Sequence, residues 1–147
     1  MGDAEWRRLL EQHDRIVAAV IGQFRGRQVA STGDGTLATF DGPARAINCA
    51  LALHRAISAT GLELRIGLHA GEVVHRDDQI SGIAVAIAAR VMAQAKDGGV
   101  LVSGAVPPLV AGSGVAFADE GTRVLKGVPG EWQLFSVPEE APAWDAH

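Results

Sequence analysis

The stretch from Val29 to Phe40 constrains the fold more than any other. Two β-prone runs, rich in Val, Thr, Leu and Phe, flank Gly33-Asp34-Gly35. An Asp-Gly pair between such runs is a strong short-range hairpin signal. The turn then carries a carboxylate at its tip. Glycine on both sides accepts positive φ and has no Cβ to hold a ligand away, so a hard cation or a phosphate can come close. Asp34 also reads as a plain turn former, the ordinary role of Asp in such a pair. Residues elsewhere decide between the two.

Helical periods stand on both sides of this ribbon. From Ala4, the apolar residues Trp6, Leu9, Leu10, Ile16, Val17, Val20, Ile21 and Phe24 recur at three- and four-residue steps, which predicts a helix burying one face. Asp3 is placed to cap it, Glu5 sits in its first turn, and Gly26 ends it. His13 falls on or near the apolar stripe and reads as a core or boundary histidine. Asp41-Gly42-Pro43 opens a second helix with Pro in the first turn. Ile47, Ala50, Leu51, His54 and Ile57 mark its buried side, and Gly61 closes it. Cys49, among Ala46, Ile47, Ala50 and Leu51, reads as a small buried hydrophobe, and as the only cysteine it has no internal disulfide partner.

Leu62 to Val74 alternates as a strand, with Leu62, Leu64, Ile66 and Leu68 on one face. Gly67 and Gly71 leave room for a backbone or a ligand to approach. His75 to Gln79 reads as a polar loop, and Ser81-Gly82 opens a third helix reaching about Ala95. Its apolar face is Ala84, Ile87, Ala88, Val91, Met92 and Ala95, which leaves Ala86 and Arg90 one turn apart on another face. An Asp97-Gly98-Gly99 turn leads to a strand at Val100-Leu101-Val102, then to a short helix or turn at Pro107-Pro108. Val115-Ala116-Phe117 and Trp132 to Val137 are the final strands, joined through Leu125-Lys126-Gly127-Val128-Pro129-Gly130. Together this predicts an α+β domain over 1–138: a ferredoxin-like, antiparallel-rich sheet with helices on one face and its opening strand missing. Residues 139–147 read as a loose tail.

Composition narrows the partners. With 48% hydrophobic and 20% charged residues the chain has the make-up of a soluble globular domain. A net charge of −4 gives no electrostatic footprint for nucleic acid. No run approaches the roughly eighteen apolar residues needed to span a bilayer, and the first residues lack the basic and apolar regions of a signal peptide, so the expected location is the cytoplasm.

Several pieces resemble the class III nucleotide cyclase catalytic domain, the adenylate and guanylate cyclase fold. They are Gly2 to Leu10, Ser31-Thr32-Gly33-Asp34-Gly35 continuing to Ala46, Gly67-Leu68-His69-Ala70-Gly71-Glu72-Val73, Gly82 to Arg90, and Leu125 to Gly130. They run in family order across nearly the whole chain. The resemblance implies conversion of ATP or GTP to a 3′,5′-cyclic nucleotide and pyrophosphate, with Mg²⁺ or Mn²⁺, in a homodimer or a dimer with another cyclase domain. In such a step, divalent metals held by carboxylates activate the attacking hydroxyl and clamp the leaving group, while a cationic side chain stabilises the developing charge. Carried over by position, Asp34 matches the second metal-binding aspartate, Arg90 the transition-state arginine, and Lys126 a triphosphate contact.

The departures from the family pattern bear on activity. The family's first metal aspartate lies on an opening strand, and this sequence starts just after the place where that strand should end. Ala30 stands where adenylate cyclases carry a base-recognising Lys, Gln79 where they carry a base-recognising Asp, and Ala86 where the family usually has a ribose-positioning Asn. Gln79 keeps hydrogen-bonding capacity without charge. Three readings follow: a working cyclase; a degenerate module that pairs with a partner or binds nucleotide without turnover; or a domain whose first strand belongs to a longer protein. The expectation is weak or lost cyclase activity, since removing an oriented catalytic group costs about a hundredfold or more.

Overall fold

The computed structural model describes residues 2–32, 35–71, 74–76, 79–95 and 99–138. The chain falls into two compact units, Met1–Glu63 and Leu64–His147.

The first unit is built on helices α1 (Asp3–Gln23) and α2 (Pro43–Ser58), with strands β1 (Arg27–Thr32) and β2 (Gly35–Thr39) between them in the chain. The two helices pack through part of the stripes that their periodicity predicts: Val17 and Ile21 from α1, and Ile47, Cys49, Ala50, Leu51, Leu53 and Ile57 from α2, are buried, whereas Trp6 and Leu10 of the α1 stripe are exposed and His54 of α2 is half-buried. Asp3 does not cap α1. Gly2 occupies the cap position without a side-chain bond, and Asp3 joins Glu5 inside the first turn, where carboxylates meet the positive end of the helix dipole. At the other end Arg25, at φ 60°, takes the left-handed position, just before the Gly26 expected to end the helix. The N–H of Arg25 donates to Gly22 O at 3.0 Å and that of Gly26 to Ile21 O at 2.9 Å, the paired bonds of a Schellman stop. Gly26 serves a different purpose, because a Cβ there would lie 2.5 Å from the Phe40 ring. Helix α2 starts as expected, on Gly42 with Pro43 in its first turn. The strands form an antiparallel hairpin from Arg27 opposite Thr39 to Thr32 opposite Gly35, with a bulge between Gln28 and Ala30. The tip residues Gly33 and Asp34 lie outside the described residues.

The second unit carries a four-stranded sheet in the order β3-β6-β8-β7, formed by β3 (Arg65–Leu68), β6 (Gly99–Ser103), β7 (Ala118–Val124) and β8 (Glu131–Val137). Strand β3 runs parallel to β6, and α3 (Ile83–Ala93) is the crossover that a parallel pair requires. The other two pairings are antiparallel. Ile87, Val91 and Ala95 join Leu101, Leu125, Val128 and Leu134 in one core cluster, with Trp132 packed against it. The room left at Gly67 is taken by backbone: a Cβ would strike Met92 N and stand 2.8 Å from Ala88 O, so α3 sits directly on β3.

Four expectations are corrected here. The long strand over Leu62 to Val74 is confined to Arg65–Leu68. The polar segment after it is no plain loop, because β4 (Val74–Arg76) and β5 (Gln79–Ser81) pair antiparallel across it, main-chain bonding that polar side chains do not advertise. Helix α3 stops at Ala93, although Ala95 beyond it is still buried. Val115 to Phe117 is not a strand. Its place is taken by the almost wholly exposed edge strand β7, which has no apolar alternation to reveal it and owes its form to pairing with β8. Residues 96–98 and the tail, 139–147, lie outside the described residues.

Candidate functional site

Helix α3 displays the first candidate. Ala84, Ile87 and Val91 turn into the core, so Ala86 and Arg90, one turn apart, are left exposed on another face. Arg90 lies in the last turn, where a cation complements the helix dipole. At the position one turn before it, Ala86 offers a methyl group and no hydrogen-bonding atom.

The connection from β7 to β8 displays the second. Leu125 and Val128 are buried in the same cluster as Ile87 and Val91, and the Val128 N–H donates to Leu125 O at 3.0 Å. Gly127, at φ 79°, lets the chain turn between these anchors. Lys126 is held between them and is exposed. Arg90 and Lys126 are therefore presented by segments that share one core. A further tie joins α3 to β7, where Arg123 Nη1 donates to the Gln94 amide oxygen at 3.0 Å.

Asp34 lies outside the described residues, as do Glu72, Val73, Asp77 and Asp78. Gln79 opens β5 opposite Arg76, and only its backbone is described. Ala30 pairs with Leu37 in the first hairpin.

Sequence reasoning assigned nothing to a third group of residues. His69, just past β3, has Nδ1 2.6 Å from the Ser103 hydroxyl in a shared hydrogen bond. Its ring meets Trp132 edge to face, at 5.8 Å and 81°. Ser103 is wholly buried. Burial also pushes the His69 pKa below its ordinary value, which favours neutral imidazole. The signal was a lone hydroxyl ending the apolar run Val100 to Val102, since a buried Ser needs a partner.

Among the described residues, no group of three His, Cys, Asp or Glu side chains could hold a metal ion. A single carboxylate such as Asp34 is a poor holder of Mg²⁺, which takes one or two carboxylates together with substrate phosphates. Among the described residues, too, no helix is long and apolar enough to cross a membrane.

Comparison with known proteins gives a consistent picture. No protein-family model matches the chain. The chain is 31% identical over 134 residues, 85% of its length, to "Putative adenylate cyclase 3" of Rhizobium meliloti. It spans only 22% of that protein's length. Among solved structures it is similar to an adenylate/guanylate cyclase/hydrolase from Silicibacter pomeroyi, with a TM-score of 0.85 and 28% identity, covering 94% of this chain and 87% of that one. It shares the fold of the guanylate cyclase domain of RhGC from Catenaria anguillulae, solved in complex with GTP, at a TM-score of 0.75 and 22% identity over 94% of this chain and 86% of that one.

Proposed function

We infer, for a chain that is a class III nucleotide cyclase homology domain, that it binds the triphosphate of ATP or GTP through Arg90 and Lys126 while turning it over weakly or not at all. Its two units are taken together as one domain. The observation that carries this reading is the contrast on α3: Arg90 is exposed and available to phosphate oxygens, but the residue one turn before it is an exposed alanine. Phosphate groups are gripped by point charges such as Lys and by the forked donors of Arg. Orienting a ribose needs a directed hydrogen bond, and Ala86 makes none. Ala30 removes a second donor by the same logic, and Gln79 in place of an acid removes a charge. Groups that act together in a transition state lose far more than additively when several are gone.

The contacts proposed for Arg90 and Lys126 require no resident metal. Asp34, by its place in the motif, is proposed as the one carboxylate able to meet a cation that arrives with the nucleotide. A homodimer, or a dimer with another cyclase domain, would complete the pocket. The deciding experiment is a cyclase assay on the purified protein with Mn²⁺ and ATP or GTP, alongside a binding titration and repeated with Asp34→Ala. Binding with little or no product is expected. Robust product that disappears in Asp34→Ala would establish a working cyclase instead.

A further inference from the structure

The strand motif Gly67-Leu68-His69-Ala70-Gly71 contains a polar ring with no part in the phosphate contacts above, yet its surroundings are built around it. The His69 Nδ1 shares a 2.6 Å hydrogen bond with the wholly buried Ser103 of β6. Near Nε2, a Cβ at Gly71 would stand 3.2 Å from that nitrogen and 3.2 Å from the Ala84 methyl, so a side chain there would crowd the imidazole. The Ser103 bond sets the ring's orientation. Its third neighbour is Trp132, met edge to face at 5.8 Å. The Trp132 Nε1–H in turn donates to Pro129 O at 3.0 Å, inside the connection that carries Lys126.

We propose that His69 is a positioning residue for Lys126: held by Ser103, it fixes the Trp132 indole, whose N–H ties down the far end of the Leu125 to Gly130 turn. Leu125 and Val128 anchor that turn by burial, and the Val128 N–H bond to Leu125 O closes its near end, but neither reaches its far end at Pro129. A hydrogen bond at a defined angle supplies the missing constraint. An edge-to-face ring pair adds orientation beyond its buried area. The proposal rests on the reading that Lys126 contacts the triphosphate.

The test is a double-mutant cycle on the full chain, titrated with a non-hydrolysable ATP analogue and Mn²⁺. Lys126→Ala is expected to weaken binding about tenfold and His69→Ala about fivefold, with the double variant no weaker than Lys126→Ala alone. The Trp132 indole N–H resonance should also shift and exchange faster with solvent in His69→Ala. Additive losses, or an unmoved indole resonance, overturn the positioning role while leaving the Lys126 contact standing. Wild-type protein that does not bind, or Lys126→Ala that binds like wild type, overturns the phosphate reading itself, and the proposal with it. If His69→Ala does not fold, Trp132→Phe removes the indole N–H donor together with part of the ring system and keeps an aromatic ring. It should then show the same non-additive loss, and its absence refutes the relay.

Discussion

At the scale of single residues, burial decides the chemistry of Cys49. It is 1% exposed, its Sγ lies 4.0 Å from Val20 O, and burial pushes its pKa up to about 11. The thiolate is the reactive species. Folded protein at pH 8 is therefore expected to resist a disulfide reagent and to react promptly once denatured, as followed by absorbance; free-thiol rates in the folded state would contradict this. Arg90 lies at the opposite extreme. Its side chain is exposed, so Arg90→Ala should shift unfolding stability by no more than about 0.5 kcal/mol. Triphosphate affinity should nonetheless fall, and a titration paired with a denaturation curve separates the two effects. His69 links stability to pH. Burial lowers its folded pKa beneath the ordinary 6.5, so below that value the unfolded chain binds the extra proton. Stability is thus complete above about pH 6.5 and declines as pH falls through the lowered folded value. His69→Asn, which can still bond Ser103 but does not titrate, should flatten this part of the profile.

At the scale of elements, α3 lies so close on β3 at Gly67 that a side chain has no room there. A Cβ there would meet Met92 N and stand 2.7 Å from Met92 Cα, and backbone does not yield as a side-chain tip does. Gly67→Ala is expected to cost about 2 kcal/mol or more, read as a lower denaturation midpoint with an unchanged m-value. Elements of this kind were legible in the sequence because a buried face leaves a period. The stripe of α2, the C-terminal half of that of α1, the Gly42-Pro43 start and the apolar run of β6 all follow from residues whose burial fixes their spacing, while Trp6 and Leu10 earlier in α1 are exposed. Edge strand β7, exposed along nearly all its length, and the polar hairpin β4–β5 left no such mark, since their form comes from partners distant in the chain or from main-chain bonds alone. The candidate site divides in the same way. Arg90 was legible as a helical position outside the core, and Lys126 as a turn residue. The His69–Ser103–Trp132 contact joins three separate strands' ends and becomes visible only when β3, β6 and β8 are brought into register.

At the scale of the whole molecule, the two sides of the four-stranded sheet are unequal. Strand β7 is protected by Asp119, Glu120 and Arg123 and by a bulge between Asp119 and Thr122, features that discourage pairing with another chain. Strand β3 is guarded less, by its short length and the exposed Arg65 at its start. It is an outer strand carrying Ile66 and Leu68, and among the described residues no strand pairs with its free edge. An unpaired edge presents a row of backbone donors and acceptors, and a second copy of the chain is the partner always at hand. Self-association is therefore expected, as a dimer or as limited solubility. Sedimentation equilibrium should show an average mass that climbs from that of the monomer as concentration rises. Because the pairing is made by main-chain groups, it should persist at high salt, where association through exposed charges would be screened away. A stable, monodisperse monomer across the whole concentration range would show that the β3 edge is already satisfied within the chain, and that a two-subunit pocket does not form without another partner.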